Sequence, residues 1–411
     1  MTRSAALVLA SALCLSLAAR TAGAVEIRGQ VDLHAAAADA GRSWTRDGLG
    51  KLRYDRHGDG LRLGQAFLRI DGELADAIDA SVTLSAADDR HRAVNVNEAW
   101  IAWTPLPSGP WKTRLRAGAF FPPTSIEIDY DSIGWTPVKT ISSAAINSWI
   151  GEELRAKGIE LTVTHRDREG GSPHEFGFTA ALYGGNDPAG TVIAWRGWSI
   201  SDRITGLSEP LLLADLPVYR RTGPIFRQSR TIHLFRELDG RAGYWLGGHY
   251  GYGERVEAAY LYYDNRADPL RVKDGQYGWT TRFHHASVEW HPHGDWEVSL
   301  QALRGMTLMG RNAVRAEYAS WFALVSHPFA GGTAALRYDR FHSGERDNLP
   351  SDPNTERGHG IALAWSRDLG HGLTFLAEAL QVKSERAARV LVGEAPRQTE
   401  RSVTAALRWQ F

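Results

Sequence analysis

The sequence predicts an all-β protein, a transmembrane antiparallel β-barrel of about 16 strands with short periplasmic turns and long extracellular loops. Three observations carry that expectation. An export segment opens the chain, apolar and polar residues alternate with period two in repeated segments of about ten residues, and the connections alternate between short and mostly long.

The export segment comes first. Met1 to Ala24 has an early charge at Arg3, an apolar run from Ala5 to Ala19, and a closing Ala22, Gly23, Ala24 that fits a small-residue cleavage site. It reads as a signal peptide spanning 1–24, too short for a spanning helix. Arg20 shortens the apolar run but leaves the polar region before the cut intact. Cys14, the single cysteine, falls inside this segment and is followed by Leu15, Ser16 and Leu17, so it reads as inert rather than as a lipid-attachment site. Without 1–24 the chain keeps 45 basic and 47 acidic residues, because only Arg3 and Arg20 are removed. That balance gives no global electrostatic case for nucleic acid.

Composition then separates a barrel from a soluble exported domain. The chain has 42 glycines, 15 tryptophans and a mean hydropathy of −0.32, with no apolar run long enough for a membrane helix after residue 24. Such a chain can still sit in a bilayer if each strand shows one face to lipid and the other to water.

Strands are expected near 25–35, 61–74, 77–87, 95–104, 111–120, 153–165, 175–184, 240–250, 255–265, 278–291, 295–305, 314–328, 332–342, 357–367, 372–384 and 400–411. In 111–120, Trp111, Thr113, Leu115, Ala117 and Ala119 alternate with Lys112, Arg114, Arg116 and Gly118. The last segment sets Val403, Ala405, Leu407, Trp409 and Phe411 against Ser402, Thr404, Ala406, Arg408 and Gln410. Its terminal aromatic is similar to the C-terminal signature of outer-membrane barrels. Short turns around Asp76, Pro105–Pro110, His291–Gly294, Pro328–Gly332 and Asp368–Gly372 interleave with the connections 36–60, 121–152, 185–239, 266–277, 343–356 and 385–399. Aromatics such as Trp103, Trp111, Trp290, Trp296, Trp365 and Trp409 fall near strand ends, as interfacial girdles do.

The candidate functional stretch begins at the 111–120 strand. Its charged face, Lys112, Arg114 and Arg116, points into the lumen if Leu115 and Ala117 meet lipid. Successive rungs are then about 6.6 to 7 Å apart. The following connection, 121–152, carries Ile126, Ile128, Ile133, Trp135, Ile141 and Ile146 and is too apolar for bulk water, so it is expected to fold into the lumen as a constriction loop. Its Glu127, Asp129 and Asp131 would face the basic ladder and leave an eyelet of opposed charges.

Gly118–Pro123, Ile146–Arg155, Leu234–Arg241 and Tyr262–Asp268 together resemble the phosphate-selective porin O/P type of outer-membrane porin, by strand and loop order over most of the chain beyond residue 24. The resemblance implies a sixteen-stranded, usually trimeric barrel with an infolded third loop and, in the best-known members, an arginine ladder with a lysine cluster for anions. Here the basic run is short, and acid stands in the loop beside it. Phosphate preference is therefore not carried over.

The connection 185–239 is expected as a long extracellular loop, with Trp195, Trp198 and Leu211–Leu213 followed by Arg220, Arg221, Arg227 and Arg230. These could pack over the mouth or against a neighbouring protomer, or meet lipopolysaccharide phosphates. His285 and Ser287 share a strand face, but no acidic group completes a triad, and no metal, nucleotide or nucleophile-elbow motif is present. The expectation is a porin for small hydrophilic or charged solutes, anions among them. It is expected in the outer membrane beside lipid and lipopolysaccharide, as a homotrimer, with no enzymatic activity and no cofactor. A structural or ligand-binding barrel with a closed lumen is the alternative.

Overall fold

The computed structural model describes residues 25–89, 94–128, 133–167, 170–347 and 349–411, so the export segment expected at 1–24 lies outside the described residues. Sixteen antiparallel strands close into one barrel: β1 Val25–Asp39, β2 Gly60–Ala75, β3 Ile78–Ala86, β4 Val94–Trp103, β5 Trp111–Phe120, β6 Ala156–Arg166, β7 His174–Gly184, β8 Gly243–Tyr252, β9 Val256–Asp264, β10 Thr280–Trp290, β11 Glu297–Met309, β12 Val314–Phe329, β13 Gly332–Glu345, β14 Glu356–Gly370, β15 Leu373–Arg386 and β16 Arg397–Gln410. Each strand pairs with its sequence neighbour, and β16 pairs with β1 from Gln30–Gln410 to Asp39–Arg401. No edge is left, so every ladder amide and carbonyl can be satisfied within hydrocarbon.

Each expected strand has its counterpart, because period-two alternation fixes both the strand and its register. Leu182, Leu336, Leu363 and Val403 are exposed on the outer face, at positions that alternate with buried Ala181, Arg337, Ala362 and Thr404. Trp103, Trp111 and Trp290 are exposed at the turn-side ends of their strands, and Trp296 is exposed in the turn just before β11. Among the turns, Ala330–Gly331 and His371–Gly372 have positive φ at both residues (52° and 74°, 55° and 74°), the geometry that matches strand twist in two-residue hairpins.

The opposite end carries eight loops: L1 40–59, L2 87–93, L3 121–155, L4 185–242, L5 265–279, L6 310–313, L7 346–355 and L8 387–396. L6 is much shorter than its fellows because β11 runs on to Met309, beyond the expected end at 305. L3 contains helix α1, Ala145–Glu153, and L4 contains the short helix α2, Thr191–Trp195. Both helices are buried throughout. Of the 185–239 connection, expected as a long extracellular loop, the first part through Ile204 packs against side chains inside the barrel, while Leu211–Phe235 cluster with the loop-end residues Leu49, Trp279, Met309 and Val314. The reason is visible in the wall, which turns Trp245, Leu261, Tyr263, Phe283, Tyr318 and Phe341 inward. These apolar side chains take Trp149 of L3 and Trp198 of L4 into one hydrophobic core inside the cylinder.

Candidate functional site: the loop-filled lumen

L3 is held to the wall by buried charge. The residue before helix α1, Ala144, has no side chain able to cap it, and carboxylates from elsewhere take the first amides. Glu127 accepts from Ala144 N at 2.8 Å, and Asp339 of β13 accepts from Ala145 N at 3.0 Å. Negative groups at this end also suit the helix dipole. Arg337 of β13 neutralises both, lying 2.5 Å from Glu127 and 2.8 Å from Asp339. Burial nevertheless pushes the Glu127 carboxyl up from its ordinary value, against the downward pull of Arg337. Glu378 of β15 receives the amides of Ile141 and Ser142, and Asn147 bonds Gln301 of β11 at 3.2 Å. The loop tip continues to the turn side of the barrel, where Lys139 pairs with Glu297 at 2.8 Å and Pro137 O accepts from Arg408 at 3.1 Å.

L4 locks onto L3. Glu153, the last residue of α1, accepts amides from Gly190 and Val192 at 2.8 Å each, so its carboxylate caps α2; the Trp149 indole N–H also donates to it. Burial pushes Glu153 up to about 7 despite these donors. Beyond α2 the chain crosses the barrel mouth. The Trp198 indole donates to His342 O at 3.1 Å, Ile200 N to Lys51 O at 2.9 Å, and Leu207 N to Val96 O at 2.8 Å. Arg53 of L1 pairs with Asp202 at 2.8 Å. Lys51 pairs with Glu356 of β14, which also meets Arg386 of β15 at 3.1 Å. Burial lowers Lys51 to about 7, with Arg386 and Arg389 adding to the effect and Glu356 opposing it.

The turn-side half of the lumen is different. On β5, Lys112 is exposed while Arg114 and Arg116 are half-buried, all on the face opposite Leu115 and Ala117. Arg116 pairs with Glu160 of β6 at 2.7 Å. Arg114 lies over the Trp100 ring at 4.9 Å, and Arg69 of β2 over the same ring at 6.0 Å. Cations stacked on an aromatic face keep their charge and gain the ring's quadrupole. Strands β9, β10 and β11, four to six strands round the cylinder from β5, supply Glu257, Glu289 and Glu297 to a cavity of about 440 Å³ that L3 lines with Glu127 and Lys139.

Sequence reasoning therefore places the ladder on one wall, but Glu127 does not face it: Glu127 is spent on Arg337 and the start of α1. Asp129 and Asp131 lie outside the described residues. The acids opposite the ladder come from the wall, and they were missed because a lone Glu at a strand end carries no motif. His285 and Ser287 do face inward together, but neither ring nitrogen of His285 has a hydrogen-bond partner among the described residues, so the pair is not aligned for proton transfer. Asp187, Glu237 and Asp239 of L4 approach one another closely enough for a metal. Their oxygens already receive backbone amides, Glu237 from Gly185 at 2.8 Å and Asp187 from Asp239 at 3.2 Å, which reads as turn-capping.

Such a closed sixteen-stranded cylinder, apolar outside and polar or loop-filled inside, is the architecture of the outer membrane. Solved structures agree on the fold. The outer membrane channel DcaP of Acinetobacter baumannii is 9% identical with a TM-score of 0.57, covering 94% of this chain and 97% of its own. An anion-selective porin from Comamonas acidovorans is 14% identical with a TM-score of 0.50, covering 94% and 99%. OmpT of Vibrio cholerae, in its trimer form, is 9% identical with a TM-score of 0.51, again covering 94% and 99%. No protein-family model and no curated protein matches the chain. The chain thus has a porin fold; at these identities the likeness reaches the fold and no further.

Proposed function

We propose that the protein is an outer-membrane channel for passive diffusion of small hydrophilic or charged solutes, anions among them, through a passage narrowed by L3 and L4. One observation carries the reading: cations on β2 and β5 stand across the turn-side lumen from Glu257, Glu289 and Glu297. Fixed charges of opposite sign on facing walls of a wet constriction bias passage by charge and size. Lys112, Arg114 and Arg116 are the pore-lining cations of this proposal, with Asp129 and Asp131 kept as loop acids. Glu127 serves as an anchor. The resemblance to phosphate-selective O/P-type porins supports the reading, as does the channel fold, and a homotrimer in lipid and lipopolysaccharide goes with both.

Planar-bilayer recording tests it. Purified protein gives stepwise currents, and Lys112→Ala, Arg114→Ala and Arg116→Ala together move the reversal potential in asymmetric salt toward cations. The shift shrinks as salt rises, because screening shortens the reach of the fixed charges. Absence of steps from correctly inserted protein overturns the reading.

A second reading, a closed barrel that binds a ligand or serves structurally, is favoured by the aromatic core joining Trp149 and Trp198 to Phe283, Tyr318 and Phe341. Liposome swelling with small sugars separates the two: a closed lumen gives none.

A further inference from the structure

The outer surface carries a charge pattern that the channel reading does not use. On β13 to β16 the lipid-facing positions are apolar through Leu336, Leu363, Ile361 and Val403, and then change abruptly toward the loop end. Two residues on from Tyr338 comes Arg340, whose cross-strand partner is His359, whose partner in turn is Lys383. Arg357 and Arg397 stand one step higher, and Arg401 lies beside Gln381 at the height of Ile361. All of these basic groups but His359 are exposed, and Arg340, Arg357, Lys383 and Arg397 line, with His359, one open groove of about 960 Å³.

The charges do not cancel. Glu385 is the acid in the groove, held between Arg357 at 2.6 Å and Arg397 at 3.2 Å. Arg340, Lys383 and Arg401 make no ion pair among the described residues. Arg340 and Lys383 one row above the lipid-facing apolar band, and Arg401 level with its upper edge at Ile361, stand where acyl chains end and headgroups begin. A lipid with a phosphorylated headgroup satisfies both halves of that surface: its chains lie on Leu336, Ile361 and Val403, and its phosphates meet guanidinium and ammonium donors.

We propose that this face of β13 to β16 docks the phosphorylated glycolipid of the outer leaflet, with Arg340, Lys383 and Arg401 as the phosphate-binding groups. The site is distinct from the arginines of L4, where Arg220 pairs with Asp215 and Arg230 with Asp47. The proposal rests on the barrel lying in the outer membrane and is independent of conduction.

The test is native mass spectrometry of the detergent-purified full barrel, mixed with diphosphorylated lipid A or with the same lipid after enzymatic removal of its phosphates. The wild-type protein retains lipid A through detergent exchange and fails to retain the dephosphorylated lipid. The variant R340A/K383A/R401A, folded as judged by its heat-modifiable gel mobility, retains at least about tenfold less lipid A. Inorganic phosphate in large excess does not displace the lipid. Equal retention of both lipids by the wild type overturns the proposal without recourse to any variant, and so does full displacement by inorganic phosphate. If the variant instead breaks the oligomer while lipid retention per chain is unchanged, the face is a contact between copies and the proposal falls.

Discussion

The Glu127 carboxylate and the Arg337 guanidinium meet at 2.5 Å inside the barrel, joining a loop residue to a wall residue 210 positions later. Arg337 also donates to Thr140 at 3.0 Å and to Ser142 Oγ at 3.1 Å, so one wall side chain organises the descending limb of L3. Removing it strands Glu127 and Asp339 in the core, and breaking a buried pair costs about 3–5 kcal/mol. Arg337→Met is therefore expected to release L3, seen as protease cleavage within 121–155 and larger, noisier single-channel current. Adding Glu127→Gln recovers part of the loss. Unchanged cleavage and current in Arg337→Met would show that the pair does not hold the loop.

Glu160 masks one rung of the ladder through its 2.7 Å contact with Arg116. Glu160→Gln removes a lumen anion and leaves the cation in place, so the reversal potential in asymmetric salt moves toward anions, opposite in sign to the change from Arg116→Ala. Shifts of the same sign in the two variants would place the pair away from the conduction path.

The barrel itself was legible in the sequence, because lipid outside and a different environment inside impose alternation on every strand, as in Leu336, Arg337 and Tyr338. The filling of the lumen was legible in part. The isoleucines of 121–152 announced a loop that avoids water, yet Trp195 and Leu211–Leu213 suit a mouth, a protomer contact or a core equally well. A signal for the second infolded loop did exist. Runs such as Tyr260, Leu261, Tyr262, Tyr263 and Trp321, Phe322, Ala323, Leu324 are apolar on both strand faces, which a strand between lipid and water has no reason to be. The Glu127–Arg337 partnership left no trace, since long-range pairing between single charges has no local pattern.

The pH dependence of the L3–L4 lock follows from Glu153, which burial raises to about 7 from an ordinary 4.5. The closed arrangement binds a proton more tightly than the open one, so it is favoured as pH falls through about 7, and the added stability is fully present below about 4.5. It is lost as pH rises through 7, by up to about tenfold in the closed-to-open ratio per pH unit within that window. Proteolysis of L4 should therefore be slower at pH 5.5 than at pH 8 after correction for protease activity, and Glu153→Gln should flatten the difference. A wild-type rate that stays level across the window would remove Glu153 from the lock.

Gly29 and Phe411 exchange backbone hydrogen bonds at 2.9 and 3.0 Å, and a Cβ on Gly29 would come 2.1 Å from the Phe411 ring. Gly29→Ala is expected to push the ring aside and cost about 1–3 kcal/mol, read as a lower midpoint in heat-modifiable gel mobility. Trimming the ring in Gly29→Ala/Phe411→Leu restores part of the midpoint. A midpoint equal to wild type for the alanine variant would mean the ring moves freely.

The Asp32–Arg408 contact bridges strands 376 positions apart in sequence, while every other wall strand finds its neighbour along the chain. A cylinder sewn this way has fifteen stitches that are local and one that is global. Until that last one is drawn, β1 and β16 each present a bare row of amides and carbonyls, which hydrocarbon will not accept. Assembly in the bilayer therefore needs something to shelter both rims together, and the final zippering commits all sixteen strands at once.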